Sequence, residues 1–237
     1  MTTTLRIEQT VGELVAEQPG CSQVFEKLGI DYCCGGRLTL AEACSRKGLD
    51  PAAVLLTLQS VQQPNEGSTI RPRAMSLTAL ADHIEATHHV YLKQELPRLT
   101  QLAAKVASRH GDNHAWLRQL EPLIETFAQE LDGHMAKEEG VLFPLIRRLD
   151  AGQPAGRTDC GMTLDQPIAV MMREHDDAGR ALERMREMSD NYQPPTDACN
   201  SFHALLDGLA TLERDMHQHI HLENNALFPR AMEKAGL

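Results

Sequence analysis

The sequence predicts an all-α protein, an antiparallel four-helix bundle preceded by a small helical domain that contains cysteines. Three observations predict it. Aromatic residues make up 4% of the 237 residues while Ala, Leu, Met, Glu and Arg are frequent, a composition that suits helices better than strands. Four long stretches, roughly 76–110, 114–149, 166–189 and 197–234, carry apolar residues at helical spacing. One motif bearing His and Glu occurs twice, in the second and the fourth of those stretches.

The first 62 residues break into short helical patterns at Pro19-Gly20, Gly35-Gly36 and Gly48 to Pro51, the punctuation of a compact helical module. Thr39-Leu40-Ala41-Glu42 has capping-box spacing, so a helix starts near Thr39, with Cys33 and Cys34 in the loop that feeds it. Residues 63–75 are rich in turn formers and lack apolar periodicity, which is how a linker reads. The bundle takes up 76–237, its helices separated by RHGDN, DAGQPAGRTDCGMTLDQ and DNYQPPTD. Such connections make antiparallel packing the default.

A net charge of −10 and the absence of a Lys/Arg run disfavour nucleic acid as a partner. No apolar stretch approaches the roughly 20 residues that span a bilayer, and the polar start MTTTLRIEQT lacks a signal-peptide layout. A soluble, cytoplasmic protein, monomer or homodimer, is expected. The six cysteines (Cys21, Cys33, Cys34, Cys44, Cys160, Cys199) are too sparse for a disulfide framework and read as reduced thiols.

The repeat carries the chemistry. His134 and His219 are each followed by Glu at +4 (Glu138, Glu223) and by Leu-Phe-Pro at +8 to +10. Residues four apart on an α-helix differ by about 40° in direction and about 6 Å in height, so each His-Glu pair can converge on one cation. Carboxylates can also bridge two cations and neutralise them in a core of low dielectric. The other two stretches offer His88 or His89 and His175. His89, His134, His175 and His219 recur at intervals of 45, 41 and 44 residues, which returns the chain to similar depth each time. Four imidazoles with two carboxylates suit iron or manganese rather than a thiolate-preferring metal.

Glu130, Glu174 and Asp215 are candidate acids for holding the second ring nitrogen of a ligand histidine or for relaying protons. His83, His110, His114, His203, His217 and His221 are assigned mainly to the surface or to supporting positions, with His217 and His221 forming a separate i, i+4 pair. Glu85-Ala86-Thr87-His88 matches the Glu-x-x-His element of ferritin-like sites, but that design needs two copies and only one is present.

Adjacent Cys33 and Cys34 lie too close along the chain for a relaxed mutual disulfide. A place just ahead of a helix N-terminus would favour thiolate, and with it redox exchange, metal capture or docking. Asp31-Tyr32-Cys33-Cys34-Gly35-Gly36, followed by the His/Glu set and by HLENNALFPR, resembles the iron-sulfur cluster repair di-iron family, also called repair of iron centres, whose bundle is hemerythrin-like.

The resemblance covers nearly the whole chain. It implies two non-haem iron ions, oxo- or hydroxo-bridged, held by His89, His134, Glu138, His175, His219 and Glu223. It also implies a stress-response role in restoring iron-sulfur clusters damaged by nitric oxide or peroxide, with damaged iron-sulfur proteins as partners and nitric oxide or oxygen as small-molecule ligand. Cys33 and Cys34 would then assist thiol or iron transfer. The family's first histidine commonly follows a Tyr, whereas His89 follows His88. A hemerythrin-like protein that binds, scavenges or senses oxygen or nitric oxide without turnover is the alternative reading.

Overall fold

The computed structural model describes residues 5–61, 71–153 and 163–237; most of the expected linker, and Cys160 with it, lie outside the described residues. Every regular element among them is helical. In chain order these are α1 (Val11–Glu17), α2 (Cys21–Leu28), α3 (Leu40–Lys47), α4 (Pro51–Ser60), α5 (Leu77–Ile84), α6 (Val90–His110), α7 (Leu117–Lys137), α8 (Phe143–Asp150), α9 (Asp165–Met188), α10 (Asn200–Leu222) and α11 (Phe228–Ala235). The chain forms two compact units, residues 1–80 with 218–237, and residues 81–217.

Three of the long helices are rods with a widened turn inside them. Helix α5 passes through Glu85–His89 into α6, α7 through Glu138–Leu142 into α8, and α10 through Glu223–Leu227 into α11. Each wide turn closes with an i→i+5 hydrogen bond: Val90 N–H donates to the Glu85 carbonyl, Phe143 N–H to Glu138 and Phe228 N–H to Glu223. Two of the three have a local cause in the Leu-Phe-Pro repeat. Pro144 and Pro229 lack an N–H and crowd the carbonyl four residues back, so the turn ahead of them opens rather than breaks. The first wide turn has no such proline, since Pro97 lies further along α6.

In the unit of residues 81–217, α6 packs on α7 and α7 on α9. Helix α10 joins them through Gly208, where a Cβ would lie 2.6 Å from Leu99 Cδ2, and through a 3.6 Å ion pair between Arg186 and Glu213. Leu92, Leu99, Ile124, Phe127, Leu182 and Met185 fill the interior; full burial of such side chains is worth roughly 2 kcal/mol each. The return from α9 to α10 is made by three successive left-handed residues, Asp190, Asn191 and Tyr192, with φ of 49°, 58° and 61°. Buried Tyr192 fixes them by donating its hydroxyl to the Leu182 carbonyl (3.4 Å).

In the other unit, α1 and α3 begin side by side. Thr10 and Thr39 are both N-caps, both complete a capping box (with Glu13 and Glu42), and they face each other as an antiparallel bridge. The box at Thr39 is the one its spacing predicts. Phe25, Leu14, Leu40, Leu58 and the thiols Cys21 and Cys44 make the core. Helix α11 and the wide turn before it belong to the same unit: Arg230 donates to the Pro72 (2.9 Å) and Met75 (2.6 Å) carbonyls.

Candidate metal centre

The histidine pair His88-His89 divides its roles at the end of the first wide turn. His89 aims Nε2 at Glu138 (3.3 Å), while His88 turns to Asp215 at 2.9 Å through Nδ1. His89 is therefore the ring that meets the carboxylate, and Asp215 supports His88 rather than a candidate ligand. Glu85 of the ferritin-like element is occupied by Arg147 at 2.8 Å.

Glu138 is fully buried and faces two imidazoles, His89 Nε2 at 3.3 Å and His134 Nε2 at 3.4 Å. His175, also buried, brings its Nε2 to 3.2 Å from that of His134. Ligand atoms of His134, Glu138 and His175 all lie within 4.8 Å of one another. In the other unit, His219 and Glu223 are both fully buried with 3.3 Å between Nε2 and Oε1. Both pairs of the repeat thus adopt the convergence that their +4 spacing predicts.

The far side of each ring fixes which nitrogen bears the proton. His134 donates through Nδ1 to Glu174 (2.9 Å), and His89 through Nδ1 to Glu139 (2.8 Å). Each supporting acid is in turn held by a lysine, Glu174 by Lys137 and Glu139 by Lys93 (2.7 Å). Burial pushes both carboxyls up, but the hydrogen bonds from lysine and histidine outweigh it and hold Glu139 and Glu174 below the usual carboxylate range. With Nδ1–H committed to an ionised acid, Nε2 carries a lone pair. Two such lone pairs beside a buried carboxylate form a donor set for a cation, and the residues present fit one.

Of the candidate acids, Glu174 is the one that lies against His134. Glu130 is exposed and lines a cleft of about 430 Å³ with Phe127, Lys137 and Glu174 that reaches His134. Glu139 and the two lysines lie outside the expected set. The doubled Glu138-Glu139, with Lys93 four residues after His89 and Lys137 three after His134, is the signal along the chain that points to them.

His221 departs from its surface assignment and from the separate pair with His217. It is 3% exposed, lies edge-on to Tyr32 with 5.6 Å between ring centroids, and its Nδ1 is 3.3 Å from the Tyr32 carbonyl. Burial holds it down to about 4, so it is neutral at physiological pH. His217 sits instead 3.9 Å from Glu213. What hid His221 is that the surface covering it comes from the distant Tyr32 loop.

That loop holds the cysteines. Asp31 closes it, with Oδ1 accepting from the Cys33 and Cys34 amides and Oδ2 from that of Gly35. Neither Cys33 nor Cys34 forms a disulfide, and at Cys33 the expected thiolate is not favoured. A hydrogen bond with Cys34, burial, and the nearby Asp31 raise the Cys33 thiol well above its ordinary value. The helix that was to stabilise the anion starts at Leu40, after a turn of several residues.

Residues 80–231 match the family described as Hemerythrin HHE cation binding domain, and residues 7–62 match ScdA_N, a Domain of Unknown function (DUF542). Over 226 residues, 95% of this chain and 97% of each relative, it is 40% identical to the iron-sulfur cluster repair protein YtfE of Enterobacter sp. (strain 638) and 39% identical to that of Citrobacter koseri. The YtfE protein of Escherichia coli O157:H7 is 38% identical over the same length. No helix among the described residues is long and apolar enough to cross a membrane. The buried His/Glu donors, the cysteine loop and full-length similarity together mean that the chain belongs to the family of iron-sulfur cluster repair proteins built on a hemerythrin HHE cation-binding domain.

Proposed function

We propose that the protein restores damaged iron-sulfur clusters through a pair of non-haem iron ions held by His89, His134, Glu138, His175, His219 and Glu223, and that nitric oxide is bound or reduced there. The observation that carries this reading is Glu138, fully buried and facing the Nε2 atoms of His89 and His134. The sequence repeat extends the same chemistry to His219 and Glu223. When bound, two bridged irons would supply redox capacity and open positions for a diatomic ligand.

The chain's own contributions can be derived from its contacts. Glu139 and Glu174 hold Nδ1–H of His89 and His134 and keep Nε2 available. The cleft beside His134 gives a small molecule a way in, and Glu130 and Glu174 on its walls can accept or deliver protons. Phe143 stacks on His89 with 5.7 Å between ring centroids, fixing that ring and keeping water from its face. This contact places the Phe of the first Leu-Phe-Pro segment against a proposed ligand ring.

Anaerobic metal analysis followed by mixing of the reduced protein with nitric oxide tests the proposal. Two irons per chain and restoration of a nitric-oxide-damaged iron-sulfur enzyme are expected, with nitrous oxide if turnover occurs. Zinc in place of iron, or fewer than two irons per chain, would sink the di-iron assignment. Capture of nitric oxide without nitrous oxide or repair would leave the non-catalytic binding protein as the function.

A further inference from the structure

The two most specific motifs of the sequence, Asp31 to Gly36 and His219 to Arg230, meet at one side chain. Asn225 donates Nδ2–H to the Cys33 carbonyl (3.0 Å) and to the Tyr32 carbonyl (3.3 Å), while His221 reaches the same Tyr32 carbonyl from one turn earlier. The Asn225 amide is enclosed by bare backbone. A Cβ on Gly12 would lie 2.5 Å from Oδ1 and one on Gly36 2.3 Å from it, and those two glycines are joined by Gly12 N–H to Gly36 carbonyl at 2.9 Å. Neither position has room for a side chain while Asn225 is in place.

Such a fastening is costly if packing is its only purpose. His221 Nε2 is buried without a hydrogen-bond partner among the described residues, where an apolar ring would pack without that penalty. The fastening is also placed where it can act. Asn225 stands in the middle of the wide turn Glu223–Leu227, two residues from Glu223. Its other end is the backbone of Cys33, a residue that is 5% exposed and whose thiol lies 3.1 Å from Asp31 Oδ1. Because Asp31 closes the cysteine loop internally, the loop moves as a unit once Asn225 lets go.

We propose that Asn225, braced by His221, is a positioning residue that clasps the Cys33-Cys34 loop to the turn carrying Glu223, so that the Cys33 thiol is shielded while that turn is held and exposed when it shifts. The link to metal occupancy rests on Glu223 being a ligand, as proposed for the di-iron centre. A Glu223 carboxylate held by a cation fixes its own turn, and loss of the cation frees it. The clasp thereby makes thiol availability report on the state of the centre.

Pulsed alkylation with iodoacetamide, read by peptide mass spectrometry, tests the clasp in the full-length protein, with exposed Cys199 as internal standard. In the iron-loaded wild type Cys33 should react slowly, and chelation of the iron should speed it by about tenfold, the opening equivalent of one lost hydrogen bond. Asn225→Asp keeps the shape and loses the donor. It should bring Cys33 to the fast rate in both states with iron content unchanged.

A wild-type rate for Cys33 in Asn225→Asp overturns the clasp. An unchanged rate in wild type after chelation overturns its link to the metal. If the protein takes up no iron, the metal reading fails, while the variant comparison still decides the clasp. Hydrogen exchange of the 31–36 backbone in loaded and chelated wild type probes the same coupling without a variant, with faster exchange after chelation expected and equal exchange counting against the proposal.

Discussion

His89 donates through Nδ1 to Glu139 at 2.8 Å, while the Nε2 of the same ring faces Glu138, the preceding residue in sequence, at 3.3 Å. Adjacent carboxylates thus hold the two sides of one imidazole, and the wide turn that starts at Glu138 makes this possible by changing the helical phase between them. Replacing Glu139 with Gln should weaken iron binding by about 10–100-fold, as loss of an outer hydrogen-bond partner does at other metal sites. Glu174→Gln should act the same way through His134. Competition titration against a chromophoric iron chelator measures both.

The two neighbouring histidines should separate cleanly. His89→Gln should lose bound iron, because its Nε2 is a proposed ligand atom. His88→Gln should keep it and instead destabilise the fold by about 1–2 kcal/mol, the cost of leaving Asp215 without its buried partner. Iron analysis and thermal unfolding of the two variants check this, and loss of iron in His88→Gln would reverse the assignment.

Arg230 spans two carbonyls, those of Pro72 and Met75, from the end of the second Leu-Phe-Pro segment. Arg230→Ala should cost about 2 kcal/mol, since two hydrogen bonds from a charged group are lost. Arg230→Lys should recover little, because an ammonium cannot reproduce the planar fork. Protection of the residue 71–76 amides against hydrogen exchange is the local readout.

The thiol of Cys21, buried in the core and close to Glu17, is pushed up to about 12. In the unfolded chain it returns to about 9.0. The folded state therefore holds the proton more tightly, and the stability this contributes is present below pH 9 and lost as the pH rises toward 12. Denaturant titrations across that interval should show a decline that is shallower in Cys21→Ala, whatever the variant's absolute stability.

Much of the fold is legible along the chain. The four helical stretches and the His-Glu pairs are local periodicities, so spacing alone locates them, and the box at Thr39 is a local hydrogen-bond pattern. What spacing does not supply is side-chain direction across the fold. Which of His88 and His89 faces the carboxylate depends on the phase change of the first wide turn, for which no proline gives notice. The roles of Asp215, His221 and Asn225 depend on partners 127, 189 and 192 residues away in sequence. The Cys33 thiol departs from expectation for a related reason: its hydrogen bond with Cys34, its burial and the nearby Asp31 raise its proton affinity, and none of these is visible in the spacing of the motif.

Each wide turn amounts to a single extra residue accommodated within an otherwise regular rod. Deleting one residue there, Gly140 for instance, would let an i→i+4 bond replace the i→i+5 bond and leave the rod beyond in nearly its original phase, with Phe143 still at the His89 ring. Losing one residue from the regular helix on either side would instead swing everything beyond by about 100°. Gly140 and Val141, both exposed, thus sit in the one stretch of the rod that can give up a residue. In a population of variants these turns should tolerate a loss of length that the flanking helices refuse.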